Sequence, residues 1–151
     1  MCHWQVLLRL YTWIEHRRLK QYMCQENPIR YTKHSSGQLY TLMYHAEHDG
    51  SYVGYIRGEL CQTIEDFFRE VSSSMRFPYY FGRNWAAFDE CIQDLEWLKF
   101  TSILIVVENF NLVFQSENNV STNKDLLIKH LSYCAEYWKS KNIPISIILN
   151  Q

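Results

Sequence analysis

Phe77-Pro-Tyr-Tyr-Phe-Gly-Arg-Asn-Trp-Ala-Ala-Phe-Asp-Glu-Cys-Ile-Gln-Asp-Leu95 is the most informative stretch of the chain, a short aromatic loop that runs into a helix. Trp85, Phe88, Ile92 and Leu95 recur at spacings of three and four, so one face of a helix from about Asn84 to Leu95 is apolar. Trp85, Phe88, Cys91 and Ile92 are expected in the core. Asn84 stands just ahead of that pattern, where a side-chain oxygen can accept from an otherwise unpaired helical N–H. Asp89 and Glu90, with Gln93 and Asp94 one turn on, form an acidic face opposite Trp85, Phe88 and Ile92. Before the helix, Gly82 reads as a backbone requirement of the loop, and Tyr79 and Tyr80 are its large side chains.

On the N-terminal side of this stretch, Ile64, Phe67, Phe68 and Val71 mark another amphipathic helix. Thr63 serves as its cap, Asp66 sits three residues on as an approximate capping box, and Ser72-Ser73-Ser74 closes it. On the C-terminal side, Ile103 to Val107 is an unbroken aliphatic run, as in a strand buried on both faces. A polar loop at 115–123 leads to a helix from about Asn123 to Lys141, with Leu127, Leu131, Cys134 and Trp138 inward. Pro144 stops it, and Ile145 to Leu149 is a last buried strand. Further upstream, Trp4, Leu7, Leu8, Tyr11 and Ile14 predict a helix over 4–23, ended by Asn27-Pro28. Residues 30–37 read as a loop. Gln38–Ala46 and Ser51–Arg57 are rich in Tyr, Thr, Val and Ile, and Glu47-His48-Asp49-Gly50 between them predicts a β-hairpin. From residue 51 the order is β-α-α-β-α-β, the pattern of a parallel sheet with helices packed on it.

Composition narrows the function classes. An apolar fraction of 47% and an aromatic fraction of 16% supply a core and argue against disorder. The net charge of -1 conceals an asymmetry: residues 1–58 hold seven Lys/Arg against four Asp/Glu, and residues 59–151 hold eight against twelve. An acidic C-terminal part does not suit direct contact with nucleic-acid phosphates, but it suits a partner with a basic surface. The five cysteines are widely spread with no C-x-x-C pair, which points to reduced, buried thiols and a cytoplasmic setting rather than disulfides or zinc. His45-Ala-Glu-His48 is at most half a metal site, and no metal or other cofactor is expected. Arg17-Arg18-x-Lys20 is too short to argue for nucleic acid. The first residues have neither the basic start nor the apolar run of a signal peptide or membrane span. No nucleophile–base pair or phosphate loop appears, so catalysis is not expected.

The stretch 77–95 resembles the signature of the barstar family of ribonuclease inhibitors, in which a Pro and an aromatic pair lead through Gly-x-Asn into a helix ending in acidic-Cys-Leu. The resemblance extends back through Gly58-Glu59 and on to Ile145–Leu149, covering about residues 52–150. It implies an α/β fold, a small parallel sheet flanked by helices, as an inhibitor domain over 51–151 with an α+β extension over 1–50. It also implies a protein that plugs a ribonuclease with its second helix and the loop before it. Carboxylates on such a helix stand in for substrate phosphates, and an adjacent aromatic fills a base-sized pocket; barnase and barstar are themselves the reference case for both effects.

Carried over position by position, Tyr80 matches the family's inhibitory tyrosine, Asn84 its loop asparagine and Glu90 its central acid. Ala86 stands where many members have Asp, and Asp89 where the best-known member has an aromatic, so the acid pair is shifted along the helix. The expected partner-binding set is Tyr79, Tyr80, Arg83, Asn84, Ala86, Asp89, Glu90 and Gln93, facing a ribonuclease toxin, with the chain acting as a cytoplasmic immunity protein. Asn84 reads equally well as a helix cap. A non-inhibitory binding or scaffold module on the same fold is the alternative, kept open by the missing acid at Ala86. The resemblance also implies a central first strand, which leaves a hairpin partner of residues 52–57 no place in the sheet. Either the 38–46 strand extends beyond the sheet, or it lies at an edge, or there is no hairpin. The N-terminal segment is expected to pack as an appendage that widens the interface or holds a dimer.

Overall fold

A computed structural model describes residues 27–151, so the helix expected over 4–23 and the basic cluster at 17–20 lie outside the described residues. The elements are β1 (Ile29–Thr32), α1 (Ser36–His48), β2 (Ser51–Arg57), α2 (Ile64–Ser74), α3 (Trp85–Asp94), β3 (Ser102–Glu108), α4 (Val120–Ser140) and β4 (Ile145–Asn150). Short 3-10 turns follow β2 at Gly58–Leu60 and β3 at Phe110–Leu112. The four strands form one sheet in the order β1-β4-β3-β2, every pair parallel.

The aliphatic runs take the interior positions. Ile103, Leu104, Ile105, Val106 and Val107 are all buried, as a strand must be when helices cover both faces. Odd-numbered β3 residues join Tyr52, Ile56, Ile145, Ile147 and Leu149 in the larger core, which α2, α3 and α4 cover. Leu104, Val106 and Ile148 face the other way and meet Leu39, Leu42 and Ala46 of α1. Each fully buried Leu, Ile or Phe contributes about 1.5–3 kcal/mol, so both faces matter to stability.

The structure corrects the N-terminal reading in three places. Residues 38–46 are not a strand: they lie within α1, and there is no hairpin. The content of Tyr and Thr suggested a strand, but Leu39, Leu42 and Ala46 lie at helical spacing and are the buried ones. Ser35 accepts from the Gln38 backbone N–H while the Gln38 side chain accepts from the Ser35 N–H, a complete capping box that starts the helix. Asp49-Gly50 ends α1 and turns into β2, with Gly50 at a φ of 82°. Residues 30–32, expected within a loop, form with Ile29 the edge strand β1, paired with β4 from Ile29↔Ile147 to Thr32↔Asn150. Finally, β2 is not central: it occupies the other edge and, among the described residues, pairs with β3 alone. Because β1 and β2 sit at opposite edges, α1 crosses the whole sheet between them, and residues 29–48 share the sheet and core with the rest of the described chain.

The remaining elements fall close to expectation. Thr63 and Asp66 form a full capping box, α3 begins and ends where its apolar face does, and α4 starts three residues earlier than its pattern, inside the polar loop. No described helix is long and apolar enough to cross a membrane. At Gly58 an added Cβ would lie 2.4 Å from the Asn109 carbonyl oxygen and 2.5 Å from that of Glu108, so the two 3-10 turns touch backbone to backbone there. Gly58→Ala must push these turns apart and is expected to cost ~1–3 kcal/mol. Gly37→Ala, where the nearest atom is 4.0 Å away, should be neutral or stabilising by up to ~1 kcal/mol. Urea unfolding of both variants checks the pair; equal effects would refute the close approach.

Cys61, Cys91 and Cys134 are free and buried. Burial pushes the Cys61 and Cys134 thiols up to about 12. At pH 8 almost no thiolate is present at either, and reagent access needs opening of the fold. Peptide mapping after alkylation should find both unlabelled in the native protein and both labelled in urea. Prompt native labelling of either would contradict their placement.

Candidate functional site

The loop 75–84 is held by aromatic packing beneath it. Phe77 and Phe81 are buried, 5.0 Å apart in an edge-to-face pair, and Phe81 meets Phe68 of α2 at 5.9 Å. With those two rings anchored, the intervening Tyr79 and Tyr80 project outward: Tyr79 is 100% exposed and Tyr80 62%. Their rings meet edge to face at 5.6 Å, forming one aromatic knob. The loop bends through left-handed backbone at Arg76 (φ 53°) and Arg83 (φ 49°), conformations that non-glycine residues rarely hold without surrounding packing.

Asn84 caps α3. Its Oδ1 accepts from the Ala87 N–H at 2.9 Å, while its Nδ2 donates to the Gly82 carbonyl at 3.2 Å. Both ends of the side chain are thus used to join loop and helix, although the residue remains exposed. Gly82 faces this amide: a Cβ there would approach Asn84 Nδ2 to 3.1 Å.

Phe88, Cys91 and Ile92 are buried on the inner side of α3. Ala86, Glu90 and Gln93, spaced at i, i+4 and i+7, share its outer side, where Ala86 and Glu90 are exposed and Gln93 is half-buried. Asp94 and Glu90 lie near Tyr80, and their negative charges, after desolvation of the ring, raise the Tyr80 phenol above its ordinary value. Tyr80 thus lies within electrostatic reach of the α3 carboxylates.

Asp89, partly exposed, is held within the fold. Its two carboxylate oxygens lie 2.8 and 2.9 Å from His130 Nδ1 on α4. The His130 ring in turn stacks on Trp85, centroids 4.6 Å apart and planes within 5°. Trp85 packs on Phe67 and Phe68, so the chain of contacts runs from α4 through α3 into the core. A second tie joins the helices where Trp138 Nε1 donates to the Ile92 carbonyl at 2.9 Å. His130 was not singled out by sequence reasoning. The signal available was weak: it lies beside the Leu127 and Leu131 stripe, where a lone histidine reads as helix border. Tyr133, 45% exposed, extends the aromatic surface one turn further along α4.

The model of the family described as Barstar (barnase inhibitor) matches residues 52–150. The chain belongs to the barstar family. The match begins within β2 and ends with β4, so β1 and α1 lie outside it, while the tyrosine knob and all of α3 lie inside it. A search of curated proteins found no match. Barstar-family membership makes this chain one of an inhibitor family. Among the described residues, no group of three or more His, Cys, Asp or Glu side chains could hold a metal ion.

The contacts separate two neighbouring acids. Asp89→Ala removes a partner from a half-buried imidazole and is expected to destabilise by ~1–2 kcal/mol. Glu90→Ala, on the exposed side, should stay within ~0.5 kcal/mol of the parent. Urea denaturation compares them directly, and equal losses would show that Asp89 is not the structural member of the pair.

Proposed function

We propose that this barstar-family chain inhibits a ribonuclease toxin by inserting the Tyr79–Tyr80 knob and the outer side of α3 into the enzyme's cleft. The observation that carries this reading is the exposed Tyr79–Tyr80 pair, held by buried Phe77 and Phe81 on the loop that leads directly into α3, whose outer side displays Glu90. A ribonuclease cleft is basic because it holds phosphates. Glu90 in that cleft would accept charge-assisted hydrogen bonds from Arg, Lys or protonated His. A tyrosine ring beside it would fill the place of a base, a large apolar anchor with a polar tip. The buried Phe77–Phe81 pair and the Asn84 cap favour this role, because a surface already held in shape loses little conformational freedom on binding.

Ala86 and the engagement of Asp89 with His130 leave fewer free carboxylates than the family pattern has. We therefore place the electrostatic weight on Glu90, with Asp94 as its flank, and expect a toxin other than barnase. The partner set otherwise keeps Tyr79, Tyr80, Arg83, Ala86 and Gln93 at the contact, with Asn84 setting the loop. The protein would act as an immunity protein in the cytoplasm, where its buried thiols stay reduced. It would act by occupying the cleft, without chemistry of its own. The same shortage of carboxylates supports a second reading, a binding module for a partner that is not a nuclease.

Co-expression with ribonuclease toxins, beginning with any encoded beside this chain, tests the proposal through cell growth and RNA integrity. Protection should be lost with Glu90→Lys and with Tyr79→Ala/Tyr80→Ala, while both variants unfold at the parent's urea midpoint. Ala86→Asp, which restores a carboxylate, should leave protection intact or strengthen it. Protection that survives Glu90→Lys would place the contact elsewhere. Absence of protection against every such nuclease would favour the binding module.

A further inference from the structure

A second surface runs along β2. Among the described residues this strand has one neighbour, β3. In a parallel ladder, alternate residues turn their N–H and C=O to the same side. Ile103 donates to the Pro144 carbonyl, so odd-numbered β3 residues face β4 and even-numbered ones face β2. With Val53 in register with Leu104, the β2 residues bonded to β3 are then Tyr52, Gly54 and Ile56. Val53, Tyr55 and Arg57 turn their backbone groups away from the sheet. Arg57 confirms this, since its N–H donates to Glu70 Oε1 at 3.3 Å instead of to β3.

Edges of this kind are ordinarily blunted by Lys, Pro, a bulge or shortness. β2 is seven residues long, Ser-Tyr-Val-Gly-Tyr-Ile-Arg, with neither Lys nor Pro, and pairs with β3 without a break in register. It also lies at the floor of a groove of about 470 Å³ between α1 and α2. Tyr40 and Tyr44 of α1 form one wall, stacked at 6.5 Å and 68% and 50% exposed. Ser73 and Ser74 of α2 form the other. At one end the groove is closed by the Arg57–Glu70 pair, whose guanidinium Nε and Nη2 lie 2.7 and 3.0 Å from the two carboxylate oxygens. Glu47 lines the groove with no cationic partner among the described residues.

We propose that the edge of β2, unpaired among the described residues, is a strand-addition site for an extended segment of a partner protein. The segment would carry alternating aliphatic residues and a Lys or Arg placed to meet Glu47. Its backbone would satisfy the outward N–H and C=O groups of Val53 and Tyr55, and its apolar side chains would pack against Tyr40 and Tyr44. The recess between two helices admits a single strand, whereas a second copy would bring its own α1 and α2 against these walls. One of those walls, α1, lies outside the barstar-family match, so the groove is a feature added to the family's fold. The site does not depend on the proposed nuclease contact, which is made by α3.

Selection of random linear peptides on the full chain, followed by synthesis of the enriched sequences, tests the proposal. Enriched peptides should alternate aliphatic residues, carry a basic residue, and bind with an affinity weakened about tenfold or more by Glu47→Lys. N-methylation of one alternate set of peptide amides should abolish binding, and methylation of the other set should leave it, because only one set faces β2. This last readout needs no change to the protein. Failure to enrich any peptide, or binding indifferent to which amides are methylated, would overturn the proposal. So would sedimentation of the free chain as a dimer that β2 substitutions dissolve, which would assign the edge to a second copy.

Discussion

Sealing β3 on both faces is the constraint that organises this molecule. Five consecutive aliphatic residues, Ile103 to Val107, leave no side of the strand that water can occupy. Alternation sends Ile103, Ile105 and Val107 to one face and Leu104 and Val106 to the other, and each face needs its own cover. α2, α3 and α4 cover the first, and α1 covers the second. The family-matched elements supply the first cover only. α1, upstream of the match, is thus explained by hydrophobic burial before any role in recognition is considered.

The same core sets the rigidity of the proposed contact surface. Phe67 touches Phe68, Trp85, Phe88 and Phe114, so α2, α3 and the turn after β3 share one aromatic cluster. From it the Trp85–His130–Asp89 series reaches the flank of α3, fixing the helix against rotation and sideways drift. A polar pair at this border, 13% and 30% exposed, spans the transition from core to surface. The neighbouring acids then differ in surroundings: the Asp89 oxygens meet His130, and Glu90 is exposed to solvent.

Most of the C-terminal architecture was legible because the signals there were long and mutually consistent. The i, i+3, i+4 faces of α2, α3 and α4 and the unbroken runs of β3 and β4 each admit one reading. The N-terminal part misled for physical reasons. Tyr40, Thr41 and Tyr44 favour strands by local preference, yet the tertiary demand for a cover on Leu104 and Val106 drew 36–48 into a helix. The Ser35–Gln38 capping box was present in the sequence and outweighed the strand preference of the tyrosines and threonine. β1 has only four residues, too few for periodicity to register, and its identity comes from pairing with β4 over a hundred residues away. In the site, Tyr79, Tyr80, Asn84 and Glu90 could be marked from their order along the chain. The Asp89–His130 contact could not, since it joins helices separated by a strand and a loop.

The strand order has a bearing on how the protein is made. β1 is the first strand of the described chain and, among the described residues, its neighbour in the sheet is β4, the last. During synthesis β2 can meet β3 once residue 108 is available, but β1 must wait for residues 145–150. Until then its hydrogen-bonding edge has no ladder to join, and Ile29 lacks its place against the larger core. Vectorial synthesis therefore completes the sheet last, when β4 enters between β1 and β3, and those two facing edges are what a nascent or truncated chain would present to its neighbours on the polysome.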